Sequence, residues 1–278
     1  METHMNFNKP GSNSIVTVPA AGAWPSVAFE TDASGPHSWN WTIQWGSFQK
    51  SGTAQTAGNT WDAQDAIANC GGTLTVNVTA GKDSGSITVK IQGANPSASD
   101  AQAYLASKPG SDGFDKIIQH ESKFRHFTAQ GEPVKSFDNG YGMCQLTTPI
   151  PAFEQVWNWQ QNIEGGLALF ATKRAAAIQY LSQNGRPYTE DQVRYEAVCR
   201  WNGGSYHVWD SKANRWVRNP NILCDSKTGN IGWDMTDSAN TGKSEAELRQ
   251  RDSGSYSKRP ANAHWKYFGV CYADAILG

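Results

Sequence analysis

The hydrophobic period of this chain changes once, and that change limits what it can fold into. Before Ala94-Asn95-Pro96-Ser97, apolar residues recur at every second position: Leu74, Val76 and Val78 in Thr73–Thr79, then Ile87, Val89 and Ile91 in Ser86–Gln92. Successive side chains of a strand point to opposite faces, so such runs read as half-buried strands. The Gly81–Gly85 segment between them predicts a hairpin. Ser14–Val18 is a further short strand, and Ser38–Trp45 alternates aromatic with polar residues. Together they predict a small antiparallel β-sandwich over residues 14–96. Residues 1–13 are set aside as a flexible tail or an expression-tag remnant.

Beyond that break, apolar residues recur at spacings of three and four. Ser99 or Asp100 caps a helix through Ser107, and Asp112 caps another running to about Phe124. The longest pattern is Asn162–Gln183, with Ile163, Leu167, Phe170, Ala177 and Leu181 on one stripe. Thr189–Gln192 and Ser244–Glu247 are capping boxes. After Pro260 comes a last helix with Trp265, Phe268, Tyr272 and Ile276 inward. Between them, Tyr206–Trp209 and Arg215–Arg218 pair as a hairpin in a long polar connection, where functional loops are expected. The expected fold class is therefore two-domain, a β-sandwich followed by a mainly α domain over 97–278.

Charge narrows the partners. Lys and Arg number 24 against 25 Asp and Glu, and this near-balance offers no field for phosphate neutralisation, which disfavours nucleic acid. No apolar run approaches the ~18 residues of a membrane span. METHMNFNKPGSNS lacks the basic start and apolar stretch of a secretory signal, so the expectation is synthesis in the cytoplasm without a cleaved signal. The five cysteines show no Cys-x-x-Cys spacing, His207 and His264 have no partner spacing, and Asp225, Asp234 and Asp237 read as solvated loop acids. Neither a metal nor a cofactor is expected. If one disulfide forms, the candidate pair is Cys199 with Cys224. The twelve Trp serve either sugar stacking or the core.

One carboxylate falls on the wrong face. Glu121 follows Phe114, Ile117 and Ile118 by seven, four and three residues, so it lies on their apolar stripe. Burial of a carboxyl raises its pKa and keeps its proton on near neutrality. A protonated carboxyl at a helix end beside a cleft is what general-acid cleavage of a glycosidic bond needs. The alternative is a rim carboxylate paired with Lys123 or Arg125.

Two Gly-rich turns accompany it. Gly140-Tyr141-Gly142-Met143-Cys144-Gln145 lets backbone approach a ligand while Tyr141, Met143 and Gln145 offer contact groups, and Asn202-Gly203-Gly204 ends a helix in a second such turn. Taken in order, four blocks resemble the soluble lytic transglycosylase and goose-type lysozyme pattern: Ile118–Phe124 with its Glu-Ser pair, Gly140–Thr147 for the Gly-Leu-Met-Gln-like turn, Asn162–Gly166 with its Asn-Ile pair, and Ala197–Gly204 for the final Tyr-Asn-x-Gly turn. The resemblance runs from about Ser99 to Tyr206. The hairpin region more weakly resembles bacterial immunoglobulin-like modules.

This resemblance implies a lysozyme-like domain cleaving the β-1,4 bond between N-acetylmuramic acid and N-acetylglucosamine. Glu121 matches the catalytic acid. Tyr141, Met143 and Gln145 match the turn lining the sugar cleft, Asn162 the buried Asn, and Trp201, Asn202 and Tyr206 the final substrate-binding turn. Trp201 stands where the transglycosylases have Tyr, which tips the expectation toward hydrolysis. Asp138 is then the candidate second carboxylate that orients water. The alternative is a lytic transglycosylase, in which Glu121 alone closes a 1,6-anhydro ring. Two further readings are a cysteine hydrolase using Cys144 with His120 or His126, and a non-catalytic wall-binding protein. The expected setting is the periplasm or wall of a target bacterium. Expected partners are glycan strands, a cognate immunity protein, and a type VI secretion or phage-tail carrier.

Overall fold

The computed structural model describes residues 3–278, which form two compact units. Of the described residues, the first comprises residues 3–108 and Glu121–Gly166, the second Pro109–His120 and Leu167–Gly278.

The first unit is built on nine strands: β1 (Thr3–His4), β2 (Phe7–Lys9), β3 (Ile15–Val18), β4 (Ala28–Thr31), β5 (His37–Trp45), β6 (Phe48–Thr56), β7 (Thr60–Asp62), β8 (Gly72–Ala80) and β9 (Asp83–Gly93). The expected hairpin is β8–β9, with a tighter turn than the five-residue loop the glycines suggested, since Ala80 pairs directly with Asp83. Its register follows from the alternation. Leu74 faces Val89 and Val76 faces Ile87, while Trp39, Trp41 and Ile43 of β5 stand opposite Val78, Val76 and Leu74. All of these apolar residues are buried, which puts one face of the sheet into the core.

The sandwich expectation fails here. The main sheet has six strands in the order β1-β9-β8-β5-β6, with β3 also on β9, and both β1 and β3 run parallel to β9. The other sheet has only the short β2, β4 and β7. An immunoglobulin-like sandwich needs two antiparallel sheets of comparable size. The opening residues, expected as a tail, are paired in β1 and β2, and Met5 between them is buried. Helices α1 (Gln64–Ile67), α2 (Ala98–Ala106) and α4 (Phe153–Trp157) also belong to this unit; α3 is Phe114–Ser122. Ser97 caps α2, its hydroxyl accepting from Asp100 N–H at 3.0 Å.

The second unit carries most of α5 (Trp159–Leu181) and all of α6 (Glu190–Asn202). Phe170, Ala177 and Leu181 of the expected stripe are buried. The Thr189–Gln192 capping box forms, and so does the Ser244–Glu247 box that opens α7 (Glu245–Asp252). The expected hairpin is present as β10 (His207–Asp210) and β11 (Arg215–Arg218). A mainly α domain is again not what forms: β12 (Ile222–Cys224), β13 (Ile231–Asp234) and β14 (Lys266–Tyr267) make a further sheet, followed by α8 (Gly269–Leu277). With 31% helix and 27% strand overall, the protein is mixed rather than divided by class.

The disulfide joins Cys224 to Cys271, not to Cys199. Their Cα atoms lie 5.4 Å apart, within bridging range. Cys199 is a buried thiol on α6, where the start of α8 presses against it: a Cβ on Gly269 would stand 2.2 Å from Cys199 O and 2.9 Å from its Sγ. The bridge spans 47 residues, so it restricts the unfolded chain by about 4 kcal/mol in the chain-entropy account. Replacing both Cys224 and Cys271 with Ser is expected to lower unfolding stability by about that amount, measured by urea denaturation. Reductant should then destabilise the native protein and leave the double variant unchanged.

Candidate functional site

The Gly140–Gln145 turn is fastened from beneath. Tyr141 and Leu146 exchange backbone hydrogen bonds of 3.0 and 3.1 Å, which closes the turn. Asn162, fully buried on α5, accepts from Cys144 N–H through Oδ1 at 2.9 Å. Its Nδ2 donates to the carbonyls of Tyr141 and Gln155, both at 3.1 Å. Gly142 permits this approach: a Cβ there would stand 2.5 Å from Asn162 Nδ2 and 2.6 Å from His126 Cε1, and its φ is +70°. Gln145, at φ 52°, folds its amide back to donate to Gly142 O at 2.7 Å.

His126 is the second fastener. Its Nε2 donates to Val156 O at 2.9 Å, so Nδ1 is the acceptor for Met143 N–H at 3.3 Å. Only the neutral ring makes both bonds. Full burial agrees, pushing its pKa down to about 3. Asn95 holds the chain on either side, accepting from His126 and Phe127 N–H at 2.7 and 2.8 Å.

Above the turn lies a cavity of about 390 Å³. Tyr141, Lys135, Asp138 and Asn139 line one part of it, and Ser47, Thr147, Thr148 and Ile150 the rest. The Tyr141 ring is held edge-on by Phe48 at 5.2 Å and Trp45 at 6.1 Å, so the β5–β6 turn sets its position. Asp138 is exposed and accepts from the Ser136 hydroxyl.

The structure thus gathers Asp138, Tyr141, Gln145 and Asn162 in one assembly. Met143 belongs to it through its backbone, but its side chain turns inward and is fully buried, so it lines no surface. Glu121 does not fit its expected burial. It is exposed on the last turn of α3 and lies outside the cavity lining. The helix ends one residue later, and Lys123 and Phe124 follow at φ 54° and 59°, so the apolar stripe stops and Phe124 is the next residue turned inward.

The fourth block lies in the second unit. Asn202, which ends α6, and Gly203 and Gly204 after it are exposed. Trp201 packs its ring against Phe114 and Phe170 at 5.3 and 6.4 Å. Tyr206 is buried and donates its hydroxyl to Asp274 at 2.6 Å, and burial with that carboxylate pushes its pKa up. Besides Asp225 and Asp252, which pair with Arg249 and Arg251, the buried acids of this unit include Glu196. It accepts from Tyr206 and His207 N–H at 2.9 and 3.0 Å and pairs with Arg200 at 2.9 Å. Residue spacing did not single out Glu196, and it offered His126 only as a partner for a Cys144 nucleophile, not as a fastener of the turn. Ser47 carried no signal, being distant in sequence, whereas Thr147 and Thr148 directly follow the turn.

In comparisons with known proteins, no family and no curated sequence matches this chain.

Two outcomes test the fastening. Asn162→Ala leaves the buried Cys144 N–H without its acceptor and removes the side-chain donor to the Tyr141 and Gln155 carbonyls, and is expected to cost about 2–4 kcal/mol, read by chemical denaturation. The unfolded chain binds a proton at His126 below about 6.5, whereas the folded chain stays neutral there down to about 3. Stability should therefore fall as pH drops through that window, by about 1.4 kcal/mol per unit. Denaturation midpoints between pH 7 and 5 should show this slope in the native protein and lose it in His126→Gln.

Proposed function

We propose that the chain is a peptidoglycan muramidase, with Glu121 donating its proton to the bridging oxygen between N-acetylmuramic acid and N-acetylglucosamine. The observation that carries this reading is the buried Asn162 amide, which ties the Asn-Ile block to the Gly-rich turn as the motif order requires. A turn fastened below keeps its upper face for ligand, and that face opens on a cavity lined by hydroxyl, amide and phenol groups suited to sugars. The exposed position of Glu121 is accessible to a glycan strand. A strand laid over it excludes water from the carboxyl. Water then attacks the anomeric carbon from the opposite face as its bond to the protonated bridging oxygen breaks; Asp138 takes the proton that the water loses, and Glu121 is left as the carboxylate.

Other observations weigh against the competing readings. Cys144 is fully buried and its thiol pKa is pushed up, so a thiolate nucleophile is disfavoured there. Eight of the twelve Trp are buried and the remaining four are partly buried, so they make the core rather than a sugar-binding surface. The Cys224–Cys271 bridge suits an oxidising compartment, in keeping with action in the periplasm or wall of a target bacterium. On this reading the producing cell carries an immunity protein that covers Glu121.

Release of soluble muropeptides from purified peptidoglycan tests the assignment. Glu121→Gln should lower the rate by at least about 100-fold with an unchanged circular dichroism spectrum. Cys144→Ala should keep its specific activity. Mass spectrometry of products should show reducing ends; anhydro-muramyl ends would assign the transglycosylase route to the same Glu. Lysis by Glu121→Gln at the native rate would overturn the proposal.

A further inference from the structure

The cavity above the Gly-rich turn contains one cation. Among the described residues, the Lys135 ammonium stands over the Tyr141 ring, 5.4 Å from its centroid, and not in an ion pair. That ring is buried and braced by Trp45 and Phe48, so the ammonium rests on a fixed surface. The acid of the same lining, Asp138, is engaged by Ser136 within its own loop. The remaining polar lining is neutral: the hydroxyls of Ser47, Thr147 and Thr148, and the Asn139 amide. The volume of about 390 Å³ falls within the ordinary range of small-ligand sites.

Neutral hydroxyl and amide groups match sugar hydroxyls and acetamido groups. Asp138 keeps its charge but is held toward Ser136, so the Lys135 ammonium is the group of this lining that attracts an anion. Of the two sugars in a wall glycan, only the muramyl unit bears a carboxyl, either free on its lactyl ether or further out on its peptide. We propose that this cavity is a carboxylate-reading subsite, in which Lys135 selects the muramyl unit and Ser47, from the β5–β6 turn, forms part of the wall. The assignment rests on the muramidase reading and adds to it the residue that distinguishes wall glycan from a neutral N-acetylglucosamine polymer. It also gives the β-rich part of the first unit a place in substrate recognition.

Binding by the full chain carrying Glu121→Gln, which prevents turnover, separates the two ideas. The probes are a tetrasaccharide of alternating N-acetylglucosamine and N-acetylmuramic acid with free lactyl carboxyls, and chitotetraose. The charged probe should bind about tenfold tighter at low salt, with the advantage shrinking as salt rises. Adding Lys135→Gln should remove that advantage and leave chitotetraose affinity unchanged, while Lys135→Arg should retain it. Equal affinity for both probes, or an equal loss for both in Lys135→Gln, would overturn the subsite and leave the muramidase reading standing. Binding of neither probe, together with no muropeptide release by the native chain, would overturn both.

Discussion

The buried amide of Asn162 organises the candidate site. One side chain meets three backbone groups, from Cys144, Tyr141 and Gln155, at a point where water cannot substitute. An asparagine suits this position because it presents a donor and an acceptor together without charge. A charged residue there would bring a desolvation cost that no partner offsets. His126 repeats the logic with a neutral imidazole, accepting on one nitrogen and donating on the other. Gly142 is the complementary requirement, since any side chain there would occupy the space of both fasteners.

What was legible in the sequence was local. The β8–β9 register, the stripe of α5 and the two capping boxes all depend on residues within a few positions of one another, and each formed as the pattern demanded. Pairings over long distances were not legible. Nothing in Thr3–His4 or Ile15–Val18 states that these strands join β9 in parallel, and that one fact replaces a sandwich with a mixed sheet. The partner of Cys224 was equally hidden, because it depends on where α8 docks.

Glu121 and Glu196 show how a periodicity argument goes astray. Glu121 has the spacing of a buried residue, but the helix stops and the left-handed turn at Lys123 and Phe124 takes the stripe elsewhere. Glu196 gave no warning in the pattern, yet it is fully buried, because Arg200 one turn later and two backbone N–H groups neutralise the cost. Spacing reports which face a residue occupies while the helix lasts. It does not report where the helix ends or what comes to meet that face.

Because the Gly-rich loop draws its shape from an amide and an uncharged ring beneath it, form and reactivity reside in different residues. Lys135, Asp138 and Thr148 on the upper side can change identity without disturbing the backbone trace, whereas Asn162, His126 and Gly142 cannot. Such a division lets a lineage retune which polymer it grips while inheriting one scaffold intact.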